Sequence, residues 1–220
     1  MFKTELHCHS SDISDCARVD ADCIIKKYTE AGYSSLVLAN HFNTFTLNRW
    51  GAKSWEEFVR MYVGAYEKLK EKASGKLNIL LGMELRFDMN VNDYLVFGVS
   101  EEFLLNNPGI LTMNPESFHK LCKENGLLFI QAHPFRNSMT VVRPDCLDGI
   151  EVFNGHKGHD SRNDIARIWA EKFNLIMTSG TDFHYDYAPA NAGIITDEEI
   201  TSMEQLIGIL KSSSYTLIQD

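Results

Sequence analysis

Residues 1–10 read MFKTELHCHS, and this stretch decides how the rest of the chain is read. Residues 3–7 alternate as a strand does and lead directly into His7-Cys8-His9. Alternate residues on a strand face the same way. His7 and His9 therefore point together, while Cys8 faces the other side and is expected to pack. Paired imidazoles at a strand end suit a divalent cation, and with carboxylates they favour zinc, manganese or iron over calcium.

The same kind of ending recurs along the chain. Helical patterns at Ala21 to Ala31 (closed by Gly32), Trp55 to Leu69 (capped by Ser54, with Glu57 three residues on, and closed by Gly75), Pro115 to Lys123, Ser161 to Phe173 and Ser202 to Lys211 alternate with short β-rich runs. The runs are Ser35 to Ala39, Asn78 to Glu84, Tyr94 to Val99, Leu127 to Gln131, Gly149 to Phe153, Leu175 to Thr178, Ala192 to Ile195 and Tyr215 to Ile218. In the 161–173 helix, Ile165, Ile168, Trp169 and Phe173 are expected to face inward. Repeated strand–helix units predict a parallel sheet, open or closed.

Polar residues cluster where these strands end. Asn40-His41, Glu84, His133, Asn154 with His156, and Asp182 with His184 all follow strands; Asp93 precedes one. In a βα barrel the C-terminal strand ends converge on one mouth. Metal-ligand residue types from distant parts of the chain would meet there. Each piece alone is a weak signal, but every member occupies the same kind of position.

The 220 residues suit a single domain, residues 1–220. The composition, 44% hydrophobic and 23% charged, is that of a soluble globular protein. No apolar run reaches the roughly 18 residues of a membrane span, and Glu5 and His7 stand where a signal peptide would be apolar, so no membrane partner and a cytoplasmic location are expected. The five cysteines include no C-x-x-C pair, which argues against a disulfide framework or a thiolate zinc knuckle. A formal net charge of −9 argues against a broad phosphate-binding face.

On His7-Cys8-His9 with Asp15, Asn40-His41, Gly82-Met83-Glu84, His133-Pro134 and Asp182-Phe183-His184, the chain resembles the PHP (polymerase and histidinol phosphatase) family of metal-dependent phosphoesterases. The pieces span almost the whole chain in the family's order. The resemblance implies an α/β fold, a distorted (β/α)7 barrel with two or three divalent ions (Mn, Fe or Zn) at the C-terminal strand ends. Carried over by position, one ion would take His7, His9, Glu84 and Asp182. A second would share Glu84 and add His133, and a third would take Asp15, His41 and His184. Related sequences place a histidine before the strand at Tyr94; here Asp93 stands in that position, and an aspartate can bind a divalent ion.

The implied reaction is hydrolysis of a phosphate mono- or diester by a metal-activated water. The substrate would be a phosphorylated small molecule, a nucleotide or a short oligonucleotide. Arg18 and Arg136 are candidate phosphate clamps, because a guanidinium matches phosphate oxygens in a fork. His156, with His159 nearby, is a candidate to touch substrate or to protonate the leaving group. Glu151 reads as a carboxylate behind the ligands. In the segment FNTFTLNRWGAKS (42–54), Phe42, Phe45 and Trp50 are expected either to stack on a planar substrate group or to pack the loop down. Two other readings stay open. One is an amidohydrolase-like C–N hydrolase, although no lysine falls at a strand end. The other is a non-catalytic PHP-type scaffold. Oligomeric state is not encoded in any of these features.

Overall fold

A computed structural model describes residues 1–220. The chain runs β1 (Phe2–Cys8), α1 (Ala21–Glu30), β2 (Tyr33–Leu38), β3 (His41–Phe42), α2 (Thr44–Arg49), α3 (Trp55–Ala73), β4 (Asn78–Leu85), β5 (Tyr94–Phe97), α4 (Glu101–Asn106), α5 (Pro115–Glu124), β6 (Leu128–Gln131), β7 (Gly149–Asn154), α6 (Asn163–Phe173), β8 (Ile176–Gly180), β9 (Ala192–Thr196), α7 (Met203–Ser212) and β10 (Thr216–Gln219). No helix is long and apolar enough to cross a membrane. Most helices start at the caps their sequences announce: the side chains of Asp20, Ser54, Asn114 and Ser202 each accept from a backbone N–H in the first turn. Two short helices were not foreseen. Asn43 caps α2 inside the 42–54 segment, and Ser100 caps α4.

The strands form one curved sheet in the order β10-β9-β1-β2-β4-β5-β6-β7-β8, with β3 paired to β4. The two sides of the cylinder meet where Phe183, just past β8, bridges Cys8 of β1; His9 N donates to Phe183 O and Phe183 N to His7 O at 3.2 and 3.3 Å. This is a nearly closed, distorted barrel.

The sheet is not all parallel. β5 runs antiparallel to both β4 and β6, and β9 antiparallel to β1 and β10. Residues 86–93 between β4 and β5 are the reason, since a parallel crossover needs roughly a dozen residues or more. The reversal has a consequence for the site. Asp93 precedes its strand, yet it reaches the same mouth as residues that follow theirs.

The floor beneath the mouth is apolar. Val37 and Ala39, Leu80, and Leu95 and Phe97 lie on the same strand faces as His41, Glu84 and Asp93, and they share one cluster with Leu206 and Leu210 of α7. A second cluster packs α3, α4 and α5 on the outside around Phe42, Phe58, Tyr62 and Phe118. In α6 the expected face is mostly wrong: Ile165, Ile168 and Phe173 are exposed, Trp169 packs half-buried against the core, and Ala166 and Ala170 are buried. Small residues let this helix lie close on β7.

Candidate metal centre

His7 at the end of β1, His9, His41 in β3, Glu84 in β4, Asp93, His133, Asp182 and His184 converge at the mouth, and all but His41 are buried. Gly180 makes the approach of β8 to β1 possible: a Cβ there would lie 2.3 Å from the His7 Cβ and 2.7 Å from Glu151 Oε1. His133 and Asp182 hold φ of 29° and 53°, a region costly for non-glycine residues. Specific bonds hold both turns. Glu151 Oε2 accepts from His133 N at 3.0 Å, while Glu5 accepts from Thr181 N at 2.9 Å and from the Thr181 hydroxyl.

Hydrogen bonds behind the cluster fix which nitrogens face it. The Ser14 hydroxyl donates to Asn40 Oδ1 at 2.9 Å, so its oxygen accepts from His9 Nδ1–H at 3.1 Å. His7 Nδ1–H donates to Glu151 Oε1 at 2.9 Å, and Asn154 Nδ2 also donates to Glu151. His184 Nδ1–H donates to Asp182 O at 2.8 Å. Such outer partners orient metal-binding imidazoles. They turn the Nε2 atoms of His7, His9 and His184 toward the cleft.

What those atoms meet is more lone pairs. His9 Nε2 lies 3.4 Å from Glu84 Oε2 and 3.3 Å from Asp182 Oδ1; His7 Nε2 lies 3.2 Å from Glu84 Oε1. His7 Nε2, His9 Nε2, His41 Nδ1, His133 Nδ1 and Glu84 Oε2 are buried without a hydrogen-bond partner. His41 Nδ1 and Glu84 Oε2 approach to 2.7 Å without hydrogen-bond alignment. Three sets have donor atoms within 4.8 Å of one another: His7, His9 and Glu84; Glu84, Asp93 and His133; and His9, His41 and His184. Unpartnered donors grouped this way fit divalent cations.

Protons compete for the same nitrogens. Burial pushes the His7 ring down, but the charges of Glu151, Glu84 and Asp182 outweigh it and hold the ring well above its usual value. His41 is likewise held up, against burial, by Glu84 and Cys16, and His184 is raised to about 10, against burial, by Asp182 and Cys16. His9 is the exception. Burial and the neighbouring His184 and His41 drive it well below its usual value, so it stays neutral with Nε2 bare. Burial opposes ionisation of Glu84 and Asp182, yet the surrounding histidines keep both well below the carboxylate range. Burial raises Glu5 to about 7, against the donors from Thr181, His7 and Tyr28.

The remaining sequence candidates divide. Arg136 lies at the cleft, its Nη2 donating to Asp182 Oδ2 at 2.8 Å and to Asn154 Oδ1 at 2.9 Å. His156 and His159 line the same cleft, which encloses about 350 Å³. Asp93 faces it but is clamped by Arg86, Nε to Oδ1 at 2.7 Å and Nη2 to Oδ2 at 2.5 Å. Asp15 does not join the cluster: its carboxylate is partly exposed and accepts from Arg49 Nε at 3.0 Å. Arg18 lies on the rim, donating to Asp15 O and Ala17 O. Phe42 is core; Phe45 is exposed beside the cleft, and Trp50 Nε1 donates to Ile13 O at 2.7 Å, holding the loop down.

Glu5, Arg86 and Cys16 were missed. Glu5 and Arg86 each lie two residues from a named candidate on the same strand face, which is the signal that would have found them. Cys16 sits in a loop with no periodicity. Its Sγ lies 3.2 Å from His41 Nε2 and 3.0 Å from His184 Nε2. Burial raises this thiol, but the bonds to His184 and His41 outweigh it and bring it to about 6.

No protein-family model matches the sequence, and no curated protein matches it. Solved structures do. A two-domain protein from Bacteroides vulgatus containing a predicted PHP-like metal-dependent phosphoesterase superposes with a TM-score of 0.71 at 19% identity, over 99% of this chain and 64% of that one. The chain has a PHP-like fold. The lesion-specific endonuclease PfuEndoQ from Pyrococcus furiosus shares this PHP-like fold with a TM-score of 0.68 and 14% identity, over 98% of this chain and 57% of its own. An amidohydrolase from Chromobacterium violaceum, with bound sulfate and no metal, matches at 0.52 and 14% identity over 99% and 98%. The chain thus spans less than two thirds of the first two proteins.

Proposed function

We propose that the chain is a metal-dependent hydrolase of phosphate mono- or diesters, acting on a small molecule, a nucleotide or a short oligonucleotide. The observation that carries this reading is the Glu84 carboxylate, which belongs to two of the three donor sets and faces unpartnered nitrogens of His7, His9 and His41 on one side and His133 Nε2 at 3.1 Å on the other. His7, Glu84 and Asp182 would hold one ion, Glu84, Asp93 and His133 a second, and His41 and His184 a third, with the single free nitrogen of His9 within reach of the first and the third and able to serve one of them. Bound manganese, iron or zinc would supply a water of lowered pKa and polarise the phosphoryl oxygens.

The chain's own groups do the rest. Arg136 is held by Asp182 and Asn154, and its Nε is buried without a partner. The guanidinium is therefore fixed in place at the cleft, where its charge would attract a phosphoryl group. His156 Nδ1 accepts from Gly158 N at 3.0 Å. In the neutral ring the proton is then on Nε2, and burial followed by the His184 and Arg136 charges lowers the pKa, against Asp182, and favours that neutral form. The neutral His156 is thus set to offer Nε2–H as a hydrogen-bond donor to a substrate oxygen.

A C–N hydrolase is the second reading, favoured by the likeness to the amidohydrolase. No lysine lines the cleft, which places it behind. The test is elemental analysis of the purified chain, followed by assays with p-nitrophenyl phosphate, bis(p-nitrophenyl) phosphate, an end-labelled oligonucleotide and an N-acyl amide. Chelator-sensitive cleavage of a phosphate ester is expected. Cleavage of the amide alone would transfer the assignment to the second reading. No bound metal and no turnover would leave a scaffold.

A further inference from the structure

We propose that Cys16 is the fourth donor of the His9–His41–His184 group, giving this side of the centre three imidazoles and one thiolate. The inference rests on the metal-centre reading above and goes beyond it in naming the donor and the kind of ion.

The Cys16 Sγ stands 3.2 Å from His41 Nε2 and 3.0 Å from His184 Nε2. The His184 nitrogen is the lone-pair one, because Nδ1–H is committed to Asp182 O. The independent observation is His9. Its ring centroid lies 4.5 Å from that of His41 and 4.3 Å from that of His184, and its Nε2 is fully buried with no partner. Asp15, which the resemblance would have placed here, is held outside by Arg49.

The loop that makes this choice is tied down on both sides of the pair. Ala17 N donates to Ser14 O at 2.9 Å, Arg18 N to His184 O at 2.8 Å, and Trp50 Nε1 to Ile13 O at 2.7 Å. Exchanging Asp15 for Cys16 at the cluster would break these bonds. A thiolate with imidazoles suits a borderline-soft ion such as zinc better than magnesium or manganese.

The test uses the full chain, stripped with a chelator and reloaded with cobalt(II), with cobalt counted by elemental analysis. A near-ultraviolet thiolate-to-cobalt charge-transfer band is expected in the wild type and in Asp15→Asn, and its loss in Cys16→Ser. Cys16 is exposed, so this variant is expected to keep the wild-type circular dichroism. X-ray absorption of the zinc form should show one sulfur at about 2.3 Å. Cobalt bound without the band, a band that survives Cys16→Ser, a band lost in Asp15→Asn, or no cobalt uptake would each overturn the proposal. A band with no turnover on any phosphate ester would sink the proposed function alone. Turnover without a band would sink this inference alone.

Discussion

The two sides of Glu84 end differently. On one side, beside His9, the His41 and His184 rings meet the Cys16 thiol; on the other, beside His133, Asp93 meets the Arg86 guanidinium. The first side gains a donor, while the second already carries a cation of its own. A bidentate arginine engages both oxygens of Asp93, so a metal there must compete with a charge-assisted pair. Counting ligand residue types would rate the sides as equal. Their neighbours make them unequal.

The largest effect should come from removing what the sides share. Glu84→Gln is expected to lower metal content on both sides. It should reduce turnover by more than the roughly 10–100-fold typical of losing an outer partner. Elemental analysis and steady-state rates check this, and loss from one side alone would show that the carboxylate does not bridge.

Acidification should separate the sides next. His41 and His184 are both held above the usual histidine value, and their lone pairs must be free of protons to bind an ion. Below the raised values each displaced proton weakens binding by about tenfold per pH unit. Affinity should therefore rise with pH and fall steeply as pH drops, more so on the thiol side. Chelator competition across pH measures it; a flat profile would remove these two rings from the site.

Glu151→Gln takes the charge from the acceptor of His7 Nδ1 and His133 N. A loss of roughly 10–100-fold in metal affinity is expected, again by chelator competition, and unchanged affinity would make Glu151 purely structural. The smallest effect belongs to Arg86→Met, which frees Asp93. Metal affinity on the arginine side should rise by a few-fold, the scale of about 1 kcal/mol for a partly exposed ion pair discounted for screening. An unchanged or weaker affinity would mean that Arg86 supports the site instead of competing for it.

Much of this was legible early because strand periodicity is local. His7 and His9, Glu84, His133, and Asp182 with His184 sit at strand ends that composition alone marks. The antiparallel course of β5 was also within reach, in the shortness of residues 86–93, although the repeated strand–helix pattern argued for a parallel sheet. The inward face of α6 was not. Ile165 and Ile168 are more apolar than Ala166 and Ala170, and only the space left beside β7 selects the smaller pair.

The sequence by itself determined which residue types reach the mouth, because alternation along a strand needs no knowledge of the rest of the molecule. Tertiary structure alone decided what each of them meets there. Asp15 and Cys16 are neighbours in a loop without a period, and bonds from Arg49, His184, Trp50 and Ile13 turn one toward Arg49 and the other toward His41 and His184. Asp93 is available or engaged according to where Arg86 lands, seven residues away along the chain and across a turn. Charges and orphaned lone pairs are properties of neighbours in space, and those neighbours are fixed only when the barrel closes.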